Sequence, residues 1–191
     1  MHPVAQSAGM LNGGGRYQHG GCGASSEAMV CVVAKADRPP RLERIDLARD
    51  GRQVLFDPNA ALALDMAKAT PSRLIRWTDA KGQEFTGQFF PARRTGDGPS
   101  PLFVNYYACW GFLRGGLGDE WPFASLADDG ISALCINSAP YRLDAIERYG
   151  LGLSAVKSAV DLLASKGEID RTKVGMGGLS FGTEVTLWTV M

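Results

Sequence analysis

The spacing of apolar residues changes near residue 100. Before that point the apolar runs are short. Met29–Ala34 is rich in β-branched residues, Arg41–Leu47 sets Leu42, Ile45 and Leu47 among polar neighbours, and Gln53–Phe56 is a third run. Turn signals separate them: Asp37-Arg-Pro-Pro40, Asp50-Gly51 and Asp57-Pro58-Asn59. Runs of this kind predict three strands of an antiparallel meander over residues 28–57. Ala60–Ala69 predicts a brief helix or a linker. A second antiparallel pair, Ser72–Thr78 and Glu84–Phe90, flanks the turn Asp79–Gly82, and Pro91–Pro101 reads as a polar loop.

Past residue 100 the runs become continuously apolar, at Leu102–Tyr107, Ile131–Ile136 and Lys173–Met176. Strands of that kind belong to a sheet covered on both faces. Leu143, Ile146, Leu153, Val156, Val160 and Leu163 recur at three- and four-residue spacing. They predict a long helix, about Leu143–Lys166, stopped by Gly167. Strand, helix and strand in that order predict a right-handed parallel crossover. A last helix is predicted over Phe181–Met191. Residues 100–191 therefore read as α/β with a parallel sheet.

Composition narrows the partners. The chain has 191 residues, with 20 Lys+Arg against 20 Asp+Glu. A length of this order is one domain or a little more, enough to bury a sizeable core. The charge balance gives no electrostatic reason for a nucleic-acid or membrane partner, and no apolar run approaches the ~18–20 residues of a membrane span. Cys22, Cys31, Cys109 and Cys135 lack the close pairing of a structural zinc site. Cys135, inside an apolar run, reads as a buried small hydrophobe, and chain length argues against a disulfide-stapled mini-domain. Residues 1–27 carry Gly13–Gly15, Gly20, Gly21 and Gly23 and read as loop or disorder. They show neither the basic nor the apolar region of a signal peptide, which makes the cytoplasm the default compartment and leaves the periplasm open for a full-length protein. The final TEVTLWTVM has no helix-stopping Gly or Pro, so the chain looks cut off. Both histidines, His2 and His19, lie in the first twenty residues, which is unfavourable for any reaction needing a histidine from the folded body.

The chemistry gathers after the third apolar strand, in Val174-Gly-Met-Gly-Gly-Leu-Ser180-Phe-Gly182. Gly178-x-Ser180-x-Gly182 is the nucleophile-elbow pattern, lying between a strand and a helix as the motif requires. The serine of such an elbow sits on a strained turn, so its neighbours two residues away must be small. The N–H of Phe181 would then point at an oxyanion from the helix N-terminus. Two rival readings fail on the letters. A phosphate loop from Gly177 to Gly182 needs a lysine next, and Thr183 follows; a dinucleotide loop from Gly175 needs glycine where Ser180 stands. A bland Gly-rich turn with a structural serine is the remaining alternative. Ser154-x-x-Lys157 has the spacing of a serine/lysine pair but falls inside the predicted long helix without its partner motifs.

With the elbow in place, the wider pattern resembles the prolyl oligopeptidase family of serine peptidases over roughly residues 28–191. Ala155–Gly182 looks like that family's helix, G-x-I-D turn, strand and elbow. Residues 28–59 look like the last part of its β-propeller, and residues 72–107 like the hairpin and first strands of its hydrolase domain. Asn105–Trp121 (NYYACWGFLRGGLGDEW) is similar to the bacterial lasso-peptide isopeptidases of that family. The resemblance implies a partial α/β-hydrolase domain, with a mainly parallel sheet and crossover helices, preceded by an antiparallel remnant of a propeller. It divides the chain into a Gly-rich disordered start (1–27), a propeller remnant and linker (28–70) and the N-terminal part of the peptidase domain (71–191).

The resemblance also implies roles. Ser180 matches the acylating nucleophile, Phe181 the first oxyanion donor through its N–H, and Tyr107 the phenol that supplies the second, with Tyr106 as the neighbouring alternative and a packed core aromatic as the plain reading of Tyr107. Gly111, Gly115, Gly116 and Gly118 would let a loop fold back beside the site. The substrate would be a peptide, with a lasso peptide's isopeptide bond among the candidates, and no cofactor or metal is called for. An esterase on the same fold is the alternative chemistry. In an α/β-hydrolase the acid and the histidine follow the serine. This chain ends eleven residues after Ser180 without them. The expectation is therefore an enzyme by family whose 191-residue chain alone is inactive.

Overall fold

The computed structural model describes residues 22–49, 51–93, 96, 98–113 and 121–191. The chain divides into two compact units, Met1–Lys68 with Trp110–Trp121, and Ala69–Cys109 with Pro122–Met191.

The first unit holds a four-stranded antiparallel sheet in the order β1 (Gly23–Ala24), β2 (Ala28–Lys35), β3 (Arg38–Asp46) and β4 (Arg52–Phe56), followed by α1 (Ala60–Met66). The meander therefore has a fourth strand, at Gly23–Ala24, where the Gly-rich composition predicts loop. Gly23 and Ala24 pair with Val30 and Met29. Ser25 turns the chain: its backbone N–H donates to the Ala28 carbonyl at 2.9 Å, and its Oγ accepts from the Ala28 N–H at 3.2 Å. A Cys22–Cys31 disulfide fixes this turn from outside. The predicted turn Asp37–Pro40 is also corrected, because β3 already starts at Arg38. Pro39 and Pro40 fall where the β2–β3 register shifts, between the pairs Lys35–Arg38 and Val33–Arg41. A prolyl nitrogen has no hydrogen to lose from the ladder at such an irregularity. Alternation along β2 sends Cys31 and Val33 to one small core with Ile45 of β3. Glu43 is buried in β3 and is held by Arg41 and Arg52. The predicted turn at Asp50 and most of residues 1–27 lie outside the described residues.

The second unit is a five-stranded mixed sheet with three helices. Its strands are β5 (Arg73–Thr78), β6 (Glu84–Phe90), β7 (Ser100–Tyr107), β8 (Ser132–Asn137) and β9 (Ile169–Met176), in the order β5-β6-β8-β7-β9. β7 pairs in parallel with both β8 and β9. The hairpin β5–β6 joins the sheet antiparallel, against β8. The sheet is therefore mixed rather than mainly parallel, because the hairpin occupies one whole side of it. The core gathers Phe89, Leu102, Val104, Tyr106, Leu134 and Ile136 from the strands under the long helix.

Three helices flank these strands. α2 (Phe123–Asp128) is absent from the sequence reading. It is six residues long, and its only periodic mark is Phe123 and Ala127, both buried, with the Phe123 ring stacked 5.6 Å from Phe90. α3 (Ala145–Ser165) starts on Asp144, whose Oδ1 accepts from the Glu147 N–H at 2.8 Å. It ends where Gly167 takes φ +67°. Leu143 and Ile146, counted on its apolar face, are 90% and 65% exposed. The buried face is Gly152, Ala155, Val156, Ala159 and Leu163, so the periodic stripe starts two turns later than the pattern suggested. α4 (Phe181–Val190) packs on α3, and a Cβ at Gly152 would stand 2.5 Å from Val185 of α4.

Candidate active site

The site lies in the second unit, where β9 passes through Gly177–Ser180 into α4. Ser180 has φ 51° and ψ −127°, and is the single non-glycine residue with positive φ among the described residues. Residues with a Cβ adopt that region only under strain from the surrounding structure. Two glycines make the turn possible. A Cβ on Gly178 would stand 2.2 Å from the carbonyl carbon and oxygen of Gly182. A Cβ on Gly182 would stand 2.6 Å from the Tyr106 carbonyl oxygen. Both spacings are below any real contact, so each glycine allows a backbone approach that another residue would block. The turn is closed by the Gly182 N–H to Leu179 O at 2.9 Å, the Thr183 N–H to Ser180 O at 2.8 Å, and the Thr183 hydroxyl to Gly178 O at 2.7 Å.

Ser180 is exposed and makes no side-chain capping bond to its helix. The N–H of Phe181 opens α4 and meets no acceptor among the described residues. The Phe181 ring lies 6.2 Å from Tyr106 and 6.1 Å from Tyr149.

The two tyrosines at the end of β7 have different surroundings. Tyr106 is 1% exposed, and its hydroxyl oxygen accepts from the Ala139 N–H at 2.9 Å. Burial pushes its phenol above the ordinary value of 10.0, against the Ala139 hydrogen bond. Tyr107 is half-buried, pairs with Asn137 in β8 and gives its carbonyl to the Ser138 N–H at 2.7 Å. Its Cβ would lie 3.6 Å from a Cβ on Gly182, so the tyrosine and the elbow are neighbours.

Asn105 carries no mark of function in the sequence beyond being polar in an apolar strand. It is 2% exposed, and its Nδ2 donates to the Gly177 carbonyl at 3.0 Å while the Gly177 N–H donates to Val104 O at 3.1 Å. One side chain of β7 thus holds the backbone three residues before Ser180. Cys135 is buried as expected, but it is disulfide-bonded to Cys109 rather than a free apolar filler. That bond ties the strand end two residues past Tyr107 to β8, and the Cys109 N–H donates to Asn137 Oδ1 at 2.9 Å.

The remaining candidates separate. Ser154 donates its hydroxyl to Asp79 Oδ2 at 2.7 Å, which holds the Asp79 carboxyl below its ordinary value. Gly111 belongs to the first unit, at φ +70°. Gly115, Gly116 and Gly118 lie outside the described residues, as do His2 and His19. No group of acidic, histidine or cysteine side chains suited to a metal occurs among the described residues. No helix among them is long and apolar enough to cross a membrane.

This geometry can be set beside known proteins. The chain aligns with the lasso peptide isopeptidase AtxE2 of Asticcacaulis excentricus at 29% identity over 182 residues, covering 85% of this chain and 26% of that protein. The chain is a homologue of that isopeptidase. The apo structure of AtxE2 matches this isopeptidase homologue with a TM-score of 0.76 at 24% identity, over 88% of this chain and 28% of the other. A serine-to-alanine variant of AtxE2 with Astexin3-dC4 bound matches with a TM-score of 0.70. The Pyrococcus horikoshii acylaminoacyl peptidase, of the prolyl oligopeptidase family, shares the fold at a TM-score of 0.62 and 17% identity, over 88% of this chain and 28% of that one. No family model matches the chain. The isopeptidase homologue spans about a quarter of the length of these relatives, 26% of the AtxE2 sequence.

Proposed function

We propose that this chain carries the nucleophile half of a serine peptidase site acting on peptide or isopeptide bonds through an acyl-enzyme. The observation that supports it most is Ser180: an exposed hydroxyl on a strained turn that only two glycines permit. A protein holds a serine in such a conformation at a cost of about 1–3 kcal/mol, which a merely structural turn has no need to bear. In this reading Ser180 Oγ attacks the carbonyl carbon while the proton leaves to a general base. The oxyanion takes hydrogen bonds from the Phe181 N–H and the Tyr107 phenol, and collapse expels the amine. Tyr106 is the weaker candidate for the second donor, because its hydroxyl is buried in the core against Ala139. Gly178 and Gly182 serve the backbone, and Asn105 and the Cys109–Cys135 bond position it. AtxE2 acts on a lasso peptide, and a peptide of that constrained kind is the substrate class assigned to this site.

The described residues offer no histidine. A serine lacking its base loses on the order of 10⁴–10⁶ in rate, so the 191-residue chain is expected to acylate slowly and not to turn over. We assign the four-stranded sheet of the first unit, by the same likeness, to the end of a β-propeller. The test is acylation by an N-acyl-peptide nitrophenyl ester with imidazole supplied as the external base, followed by peptide mapping. The acyl group should sit on Ser180, vanish in Ser180→Ala and form at least tenfold more slowly in Tyr107→Phe. Acylation spread over other serines, or untouched by Ser180→Ala, would overturn the reading.

A further inference from the structure

Beside the elbow, the second unit encloses a cavity of about 310 Å³ between the end of β7, the β8–α3 connection and the start of α4. Its wall includes Tyr107, Ala139, Tyr141, Leu151, Phe181 and Arg148. Arg148 is the one charged residue of that wall, and no carboxylate lines it among the described residues. Its guanidinium is held between two aromatic faces, 5.1 Å from the Tyr141 ring and 5.8 Å from the Phe181 ring. Nη1 is engaged by the connection, donating to the carbonyls of Arg142 at 3.0 Å and Leu143 at 3.5 Å. Nε is buried and has no hydrogen-bond partner. Glu184, on α4, takes the Tyr149 hydroxyl at 2.7 Å.

A buried donor without an acceptor is uncommon in a folded protein and calls for a reason. Here the donor belongs to a cation whose planar fork suits a carboxylate, on a scaffold already fixed by two rings and two carbonyls. The Tyr141 ring against it is itself 73% exposed, so a ligand can displace the ring at little cost. Two of the cavity's walls, Tyr107 and Phe181, are the oxyanion donors of the proposed reaction. A group seated on Arg148 would therefore belong to a residue close to the scissile carbonyl.

We propose that this cavity is a carboxylate subsite, in which Arg148 binds an acidic group of the peptide substrate adjacent to the bond that is cut. The inference rests on the peptidase reading for its place in catalysis, but binding can be read without any bond being made. The carboxylate comes either from an acidic side chain or from a chain end, and the two are separable.

The experiment is calorimetric titration of the 191-residue chain with N-acetyl-glycyl-glutamate amide, its glutamine counterpart, and N-acetyl-glycyl-leucine with a free C-terminus. The acidic peptide should bind at least tenfold more tightly than the glutamine one, with the preference shrinking as salt rises. Arg148→Gln should erase the preference, and Arg148→Lys should keep part of it. Because Arg148 also pins the connection, Pro140→Glu at an exposed wall position serves as a second variant. It adds a competing charge without touching that clasp, and it should weaken the acidic peptide alone. Tighter binding of the free C-terminus would identify the chain end as the source. Equal binding of the glutamate and glutamine peptides, together with no preference for the free C-terminus, would overturn the proposal. So would a preference that survives Arg148→Gln. If the preference holds in Ser180→Ala while ester acylation never reaches Ser180, the subsite stands and the peptidase reading fails; the opposite pattern removes the subsite alone.

Discussion

Ser180→Gly should make this protein more stable. The serine holds φ 51° with ψ −127°, outside the small left-handed basin that L-residues tolerate. Strain of that kind is worth about 1–3 kcal/mol. Glycine releases it, and gives up about 0.4–1 kcal/mol through the freer unfolded chain. The net gain is about 1 kcal/mol, which for a chain of this size raises Tm by about 2–4 °C. Ser180→Ala is the matched control. The serine hydroxyl is exposed and caps nothing, so alanine keeps the strain and should shift stability by no more than about 0.5 kcal/mol. The assay is urea unfolding followed by near-ultraviolet circular dichroism, with equal m-values required across the three proteins. If glycine proves no more stable than alanine, the turn stores no strain, and the strongest structural reason for assigning Ser180 a function goes with it.

Four further outcomes follow from the same contacts. Gly182→Ala drives a Cβ to 2.6 Å from the Tyr106 carbonyl and should cost about 1–3 kcal/mol or more in chemical denaturation, as overpacking does. Asn105→Ala leaves the Gly177 carbonyl without its side-chain donor; a loss of about 1–3 kcal/mol is expected, together with slower acylation of Ser180. Replacing Cys109 and Cys135 with serine opens a closure of 26 residues, worth about 3.5 kcal/mol by loop entropy and measurable as a fall in the denaturation midpoint. Tyr106 has its phenol raised by burial above 10.0. Its contribution is therefore fully present below pH 10 and is lost as pH climbs, because the unfolded chain releases the proton first. Tyr106→Phe should flatten that alkaline limb in a titration of thermal stability.

Legibility in the sequence followed how local each cause is. Glu84–Phe90 coincides with β6 residue for residue. The tight turn at Gly178–Gly182 is legible where its constraint is local, since a Cβ on Gly178 would meet Gly182, but the need for glycine at 182 comes from Tyr106 across the fold. Long-range pairing was not legible. Nothing in the letters says that Cys135 meets Cys109, or that β6 pairs with β8 and so turns a parallel sheet into a mixed one. The stripe of α3 is in phase at Val156, Val160 and Leu163 but starts later than the pattern predicts, because small residues, Gly152, Ala155 and Ala159, extend its buried face while the larger Leu143 and Ile146 lie near its start in solvent. Asn105 and Arg148 were passed over for a similar reason: what distinguishes each is a partner found, or left out, by the fold.

The bond from Asn105 to Gly177 joins positions 72 residues apart in sequence. Its consequence concerns time. A helix such as α3 forms within about a microsecond from contacts a few residues long, whereas a closure of this span carries a larger entropic cost and arrives late. During folding, the helices on either side of Ser180 should therefore be present before the serine takes its positive-φ backbone. A nascent chain would hold an unstrained turn there until β9 docks on β7.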